Sequence, residues 1–153
     1  MDLAIIIAGA NRALAERLSA DLATAGFDFM RPGFGYVMRS LGDDSATLTE
    51  LAERLDVSKQ ALKKVVDEME SIGLIERHPH AVDKRAKLLM LSAAGLRARA
   101  AALATSAQIE AELRERIGED AVDATRAVLL DFIERQGGMD DMRAMRARPM
   151  FQL

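Results

Sequence analysis

The sequence predicts a mainly α-helical fold with a small β-hairpin wing, arranged as a winged helix-turn-helix and a helical dimerisation lobe. Apolar residues recur at helical spacing along most of the chain, and only the segment 74–91 carries two short runs suited to β-strands. Half of the residues are hydrophobic but only 4% are aromatic, which favours helices over sheets. We expect the winged helix-turn-helix in residues 31–91, the lobe in residues 1–26 and 92–138, and a C-terminal tail in residues 139–153.

Two helices are expected before the central motif. An apolar stripe at helical spacing begins at Leu3 and runs to about Ala25, and Gly26 ends this helix. Pro32 suits the first turn of the second helix, because the N–H that proline lacks would have no helical partner there. Residues 42–45 then form a polar loop that leads into the central motif.

The central motif consists of two short helices joined by a tight turn. Thr47 can cap the first helix, and Glu50 three residues later completes a capping box. The helix is expected to stop near Asp56, a residue type that tolerates the left-handed backbone of such a turn. Ser58 can cap the second helix, which continues to a C-terminal glycine at Gly73. The sequence therefore predicts a helix-turn-helix.

The second helix of this motif has a polar, cationic outer face. Segment 58–64 holds three cations and no acidic residue, and the acids Asp67, Glu68 and Glu70 follow only later. A helix whose first turns are exposed and basic is suited to the major groove of DNA. The alternative is that these lysines are ordinary solvated surface.

Two β-compatible runs follow the helix pair and predict a hairpin. Leu74-Ile75 and Leu88 to Leu91 flank the polar segment from Arg77 to Lys87, which holds four cations against one acid. Such a hairpin is a wing whose cations can lie along phosphates or enter the minor groove. Asp83, two residues before Arg85, can fix the loop through an ion pair.

Two further helices are predicted after the wing. Ser92 can cap a long helix that runs to about Ile117, Gly118 breaks it, and a last helix extends to Gly137-Gly138. Together with the first helix they have more apolar face than one winged helix can cover, which predicts an intertwined dimer. The alternative is a monomer in which the three helices bundle on themselves. The tail either frays or docks on the lobe through Met142, Met145, Met150 and Phe151.

These residues resemble the MarR-type winged-helix transcription regulators. The pattern L-x-E-L-A-x-x-L stands at 48–55, V-S-x-x-x-V-x-x-x-V-D-x-L-E-x-x-G-L-I-x-R at 57–77, D-x-R at 83–85, and L-T-x-x-G at 91–95. The chain departs from these patterns at Leu62, Met69 and Ser92, where the family has a small β-branched residue, Leu and Thr. The resemblance is close in the middle third of the chain and covers the flanks by architecture only.

The resemblance implies a function as well as a fold. It implies a homodimer that binds a roughly palindromic operator in double-stranded DNA, usually as a repressor, and is released by a small-molecule effector. It also implies a ligand pocket between lobe and winged helix, which the side chains of Phe29, Phe34, Tyr36 and Met38 would line; the bland interpretation of each is plain core. The rival hypothesis from another class is a winged-helix module that binds protein rather than DNA.

The candidate DNA contacts divide into three groups. For base edges we expect Lys59, Gln60 and Lys63, which follow the cap at Ser58, because Gln can pair with adenine and Lys can donate to guanine. For phosphates we expect Lys64, Arg77, Lys84 and Lys87. Arg85 is expected to enter the minor groove or to be held by Asp83.

Composition argues against other classes of function. The net charge of −3 is less informative than its distribution, because a phosphate responds to charges within a Debye length. The absence of cysteine excludes a thiol switch. His78 and His80 make a metal site conceivable, but without cysteine or a suitably placed carboxylate we predict neither metal nor cofactor. No enzyme motif, signal peptide or membrane span is visible, so we expect a cytoplasmic protein that does not act on membranes.

Overall fold

The computed structural model describes residues 2–81 and 86–138, which form six helices and three short strands. In chain order these are α1 (Leu3–Thr24), α2 (Pro32–Leu41), β1 (Ala46–Thr47), α3 (Leu48–Leu55), α4 (Lys59–Ser71), β2 (Ile75–Pro79), β3 (Lys87–Leu91), α5 (Ala93–Ile117) and α6 (Glu119–Arg135). The predicted mainly helical fold with a small hairpin is thereby confirmed. No helix in the described ranges is long and apolar enough to cross a membrane.

The helix ends follow the predicted local chemistry. The Thr47 hydroxyl accepts from the Glu50 N–H at 3.2 Å, and the Glu50 carboxylate accepts from the Thr47 N–H at 2.7 Å, so the capping box is complete. Asp56 adopts the left-handed conformation, with φ at 52°, between α3 and α4. The Ser58 hydroxyl accepts from the Ala61 N–H at 3.1 Å. These bonds fix the point where α4 begins.

The end of α4 differs slightly from its prediction. The helix stops at Ser71, and Gly73 lies beyond it with φ at 77°. The Leu74 N–H donates to the Met69 carbonyl at 2.8 Å and the Gly73 N–H donates to the Glu70 carbonyl at 2.9 Å. This pair of bonds is a Schellman motif, in which glycine takes the left-handed position one residue after the cap.

The three strands form one antiparallel sheet in the order β1-β3-β2. In β2 and β3, Ile75 stands opposite Leu91 and Arg77 opposite Leu89, which extends the predicted hairpin to five residues on each side. Strand β1 was not predicted. It contains only two residues, so no alternating pattern marks it, and its place depends on pairing with β3.

The main core lies between α2, α3, α4 and the sheet. Its fully buried side chains come from each of these elements and include Phe34, Met38, Leu41, Leu51, Leu55, Val66, Met69, Leu74 and Leu89. The spacing of these residues on α2, α3 and α4 is the helical spacing seen in the sequence. The core therefore holds the helix pair and the hairpin together, and we call the described residues 31–81 and 86–91 the winged unit.

The start of α5 is bonded to the end of α4. Ser92 is buried, with 7% of its surface exposed, and its hydroxyl accepts from the Gly95 N–H at 3.0 Å. The same hydroxyl donates to the Gly73 carbonyl at 2.5 Å, and the Ser92 N–H donates to the Leu74 carbonyl at 3.0 Å. One serine thus caps α5 and joins it to the turn after α4.

Helices α1, α5 and α6 leave much of their apolar surface exposed. In α1 only Leu22 is buried, and in α6 no described residue is buried. Ion pairs link these helices: Arg17 of α1 reaches Glu112 of α5 at 3.1 Å, and Arg126 of α6 reaches Glu110 of α5 at 2.6 Å. Arg114 of α5 pairs with Glu110 and also with Asp123 of α6, at 2.8 Å.

The junction of α5 and α6 gives a pH prediction. Hydrogen bonds from Arg126 and Arg114 lower the pKa of Glu110 below its ordinary value of 4.5, and the bond from Arg114 lowers the pKa of Asp123 below 3.8. A carboxyl with a depressed folded pKa stabilises the fold above its unfolded pKa and loses that contribution as the pH falls through the folded value. We therefore expect the unfolding free energy to stay level at neutral pH and to fall below about pH 4.5.

Urea unfolding at a series of pH values checks this expectation. In Glu110→Gln the fall should be shallower than in the wild type, because one of the titrating contacts is gone. An unchanged acid limb in this variant would contradict the assignment of acid sensitivity to the junction.

Candidate nucleic-acid interface

The first turns of α4 form an exposed basic surface. Leu62, Val66 and Met69 are buried against the core, so the opposite side of the helix must face solvent. All five predicted residues at the start of α4 are exposed: Ser58, Lys59, Gln60, Lys63 and Lys64. The structure thus brings five of the candidate DNA contacts to one helix end, where the N–H dipoles add to the positive potential.

The acidic residues of α4 lie after its basic first turns, and each of them forms an ion pair with a cation. Asp67 pairs with Lys63 one turn back and with Arg77 of β2, whose Nη2 lies 2.6 Å from Asp67 Oδ1. The Arg77 Nη1 also lies 2.7 Å from Glu70 Oε2. Glu68 pairs with Arg31 at 2.6 Å. The hydrogen bond from Arg77, and next that from Lys63, lowers the pKa of Asp67.

Arg77 is placed differently from the other predicted phosphate contacts. Its side chain is 29% exposed and lies between the two carboxylates of Asp67 and Glu70. This geometry holds β2 against α4, which is a structural task, and a phosphate contact by Arg77 would have to compete with both acids. The arrangement depends on sheet register, so the sequence alone gave no sign of it.

The hairpin carries the remaining candidates. Lys87 is exposed at the start of β3, opposite Pro79. The His78 Nε2 lies 3.2 Å from a carboxylate oxygen of Glu76 on the same strand. The predicted contacts Lys84 and Arg85, and their partner Asp83, lie outside the described residues, as does the whole tail from 139 to 153 with Met142, Met145, Met150 and Phe151.

The four predicted pocket residues are not brought to one cavity. Phe34 and Met38 are each 1% exposed and belong to the core, while Phe29 is exposed and contacts Phe27 edge-on with ring centroids 6.0 Å apart. Tyr36 alone borders an apolar surface pocket of about 120 Å³. The other lining residues are Gly33, Val37, Leu55, Val57, Ala61, Leu62 and Val65. Sequence reasoning missed this lining, because it arises where α2 packs across α3 and α4.

The sequence of the winged unit matches a known family. The profile of the MarR family matches residues 34–86, a segment that contains most of α2, all of α3 and α4, and β2. No curated protein sequence matches the chain.

Solved structures share the fold over most of the chain. A mutant of E. coli MarR superposes with a TM-score of 0.65 at 24% identity, covering 87% of this chain and 97% of that one. A mutant of E. coli MarR complexed with operator DNA gives a TM-score of 0.67 at 24% identity, covering 86% and 93%. A mutant of S. aureus MepR bound to an oligodeoxyribonucleotide gives 0.62 at 16% identity, covering 89% and 99%.

These likenesses extend the sequence match to the flanking helices. At these identities a superposition demonstrates a common fold, while the profile match demonstrates a common sequence pattern in the winged unit. The resemblance drawn from the sequence is therefore confirmed: the chain has the winged helix-turn-helix fold of the MarR-type transcription regulators, and its residues 34–86 carry the sequence pattern of the MarR family.

Proposed function

We propose that this protein is a sequence-specific DNA-binding transcriptional regulator that acts as a homodimer. The observation that carries the proposal is the exposed, acid-free start of α4, where Lys59, Gln60, Lys63 and Lys64 project from a helix anchored by a buried apolar face. The MarR family match of the segment that contains them supports the same function. MarR and MepR, which share the fold, have each been solved with DNA bound.

The acidic net charge of the whole chain does not oppose this function. At physiological salt the Debye length is about 8 Å, so a phosphate at α4 is screened from charges elsewhere on the molecule. Many acids of the chain are themselves engaged by arginines on α1, α5 and α6, such as Glu112 by Arg17 and Glu110 by Arg126. The field at the start of α4 is therefore set by its own lysines and by the helix dipole.

The homodimer is proposed from the apolar surface of α1, α5 and α6. Large side chains at least one third exposed occur along all three helices: Leu3, Ile5, Ile6, Ile7, Leu14, Leu96, Leu103, Leu113, Ile117, Val128, Leu129 and Phe132. A monomer rarely exposes so extended an apolar patch, whereas the cores of homodimer interfaces consist of such side chains. Two copies joined here would present two α4 helices to DNA, and half-sites about 34–36 Å apart would suit them.

Repression and effector release are the finer parts of the proposal. A dimer on an operator within a promoter blocks transcription by occupying the site. A small molecule releases it only if it binds better to a conformation whose two α4 helices no longer fit successive major grooves. Tyr36 and the apolar pocket beside α4 are the first place to look for such a ligand.

Binding to DNA from the upstream region of its own gene tests the proposal. The purified full chain is titrated with a labelled duplex from that region and with a scrambled duplex of equal composition, at several salt concentrations. We expect tighter binding to the first duplex and a steep loss of affinity with salt. Equal, salt-insensitive or absent binding to a panel of such duplexes would overturn it.

The dimer is tested by placing a charge on its proposed interface. Phe132 is 60% exposed on α6, one turn from Val128, which is 58% exposed. Because burying an unpaired charge is strongly unfavourable, Phe132→Glu should shift the protein from twice the chain mass of 16.7 kDa to that mass. Light scattering coupled to gel filtration measures the shift.

The matched control is Arg135→Ala, three residues further along α6. It makes the net charge more negative by one, as Phe132→Glu does, but it removes no large apolar side chain. It should remain dimeric. A wild type that runs as a monomer at micromolar concentration would contradict the dimer, and a Phe132→Glu protein that stays dimeric would exclude this part of α6 from the interface.

A further inference from the structure

One carboxylate on α4 is shared by two of the candidate DNA-binding cations. Asp67 accepts from Arg77 through Oδ1 and from Lys63 through Oδ2, so each oxygen has its own cation. Lys63 is 61% exposed, Asp67 40% and Arg77 29%. The pair of Lys63 and Asp67 is therefore on the open side of the helix, while the contact with Arg77 faces the sheet.

The two contacts of Asp67 differ in how much the fold needs them. Arg77 has a second carboxylate, because its Nη1 lies 2.7 Å from Glu70, so β2 stays tied to α4 without Asp67. The structure gives Lys63 only the bond to Asp67 among its described contacts. The second oxygen of Asp67, Oδ2, thus adds little to the attachment of the sheet. Its main contact is with Lys63, which lies on the proposed DNA-binding surface.

We infer that Asp67 is a positioning residue that restrains Lys63 and so lowers the affinity of α4 for DNA phosphates of any sequence. This inference rests on the proposed function. To neutralise a phosphate, Lys63 must either break its ion pair with Asp67 or divide its hydrogen bonds between Asp67 and the phosphate. The carboxylate also repels any phosphate that approaches within the Debye length.

The restraint acts on binding to any sequence, including the many non-specific sites of a chromosome. Non-specific binding consists almost entirely of cation-phosphate attraction, whereas specific binding adds base contacts and DNA shape. A carboxylate that competes with phosphate for Lys63 therefore lowers the affinity for random-sequence DNA directly. Asp67 would thereby reduce the time the protein spends on the bulk of the chromosome.

Replacing Asp67 with Asn separates its two contacts. Asn keeps one oxygen, which Arg77 can still use, but presents an NH2 group to Lys63, which has only donors. The pair with Lys63 is therefore lost while the tie to β2 remains. Circular dichroism and the thermal midpoint of Asp67→Asn should match those of the wild type.

The readout is affinity for a random-sequence duplex, which requires no knowledge of the operator. Fluorescence anisotropy is recorded over a range of KCl concentrations. Because an exposed ion pair stabilises by at most a modest amount, we expect Asp67→Asn to bind roughly two- to fivefold more tightly per copy of α4. The slope of log affinity against log salt should steepen by about 0.9 for each added phosphate contact.

Glu68→Gln is the matched control on the same helix. Glu68 also has a side chain that is 40% exposed and also pairs with an arginine, Arg31, but it does not touch a candidate DNA contact of α4. It undergoes the same change of charge. If Glu68→Gln raises the affinity as much as Asp67→Asn does, the effect is one of general charge and the inference is overturned.

A double-mutant cycle tests whether the gain passes through Lys63. The change Asp67→Asn is introduced into Lys63→Ala, and the gain in affinity is measured against Lys63→Ala alone. The inference expects a clearly smaller gain in this background, because only the repulsion of phosphate by the carboxylate is then relieved, and an undiminished gain would overturn it. Wild-type protein that binds no duplex even at low salt would refute the proposed function, a result distinct from wild-type binding that Asp67→Asn leaves unchanged.

Discussion

The double variant Lys59→Ala/Lys63→Ala is expected to lose about a thousandfold in affinity for its operator. In a homodimer the change removes four cations, and a good contact from such a side chain to a base accounts for about 1–3 kcal/mol. Where a lysine contacts phosphate instead, the salt slope should fall by about 0.9 per contact. Both lysines are exposed, so the fold should be unaffected.

The loss of DNA affinity in the lysine variant distinguishes a DNA-binding regulator from a winged-helix module that binds protein. Arg12→Ala/Arg116→Ala is the control, because it removes as much charge from exposed positions on α1 and α5. It should bind DNA nearly as well as the wild type. Equal losses in both variants would indicate a general charge effect, and unchanged binding in the lysine variant would favour a winged helix that recognises a protein partner.

Replacing Gly95 with Ala is expected to destabilise the fold by about 3 kcal/mol. A Cβ atom at this position would lie 2.1 Å from the carbonyl oxygen of Leu74 and 3.3 Å from the Cβ of Leu91. The oxygen belongs to the backbone and accepts the N–H of Ser92, so it cannot turn aside as a flexible side chain would. Helix α5 would have to move away from the turn after α4, and several bonds would be lost together.

Urea unfolding measures the effect, and Gly35→Ala provides a control of opposite sign. Gly35 lies within α2, and a Cβ there would meet no atom within 4 Å. Alanine at such a position should stabilise the helix by about 0.5–1 kcal/mol. If the two variants had similar stability, the close approach of α5 to Leu74 would not be a determinant of the fold.

The parts of the fold that depend on neighbours in sequence could be predicted. Thr47 and Ser58 cap helices through bonds to the residue three positions later, and Asp56 makes a turn through its own backbone angles. Such features need no knowledge of the rest of the chain. The exposed lysines of α4 were predicted for the same reason, since the cap at Ser58 alone places them in the first two turns of the helix.

The parts that depend on register or packing could not be predicted. Strand β1 exists only because Ala46 and Thr47 lie beside β3. The spacing of Lys63 and Asp67 does suggest an ion pair within a helix, but the pairing of Arg77 requires the position of β2. Likewise, Phe34, Tyr36 and Met38 lie on one short helix, and only the packing of α2 decides which side chains face the core and which the surface pocket.

Because α5 is bonded to the turn after α4 at Ser92, a small tilt of this long helix moves the proposed DNA-binding surface by several ångströms. A helix of 25 residues is about 37 Å long, and its N-terminal end is bonded to the turn that follows α4. A tilt of about 5° at the far end, where α6 begins, would carry the near end and the winged unit through about 3 Å. In a dimer built on α1, α5 and α6, the separation of the two α4 helices is therefore governed by the angle at which long lever arms cross. A small change in side-chain packing near Ile117 would then alter the separation of the two α4 helices and lower the affinity for DNA without any contact to the bases.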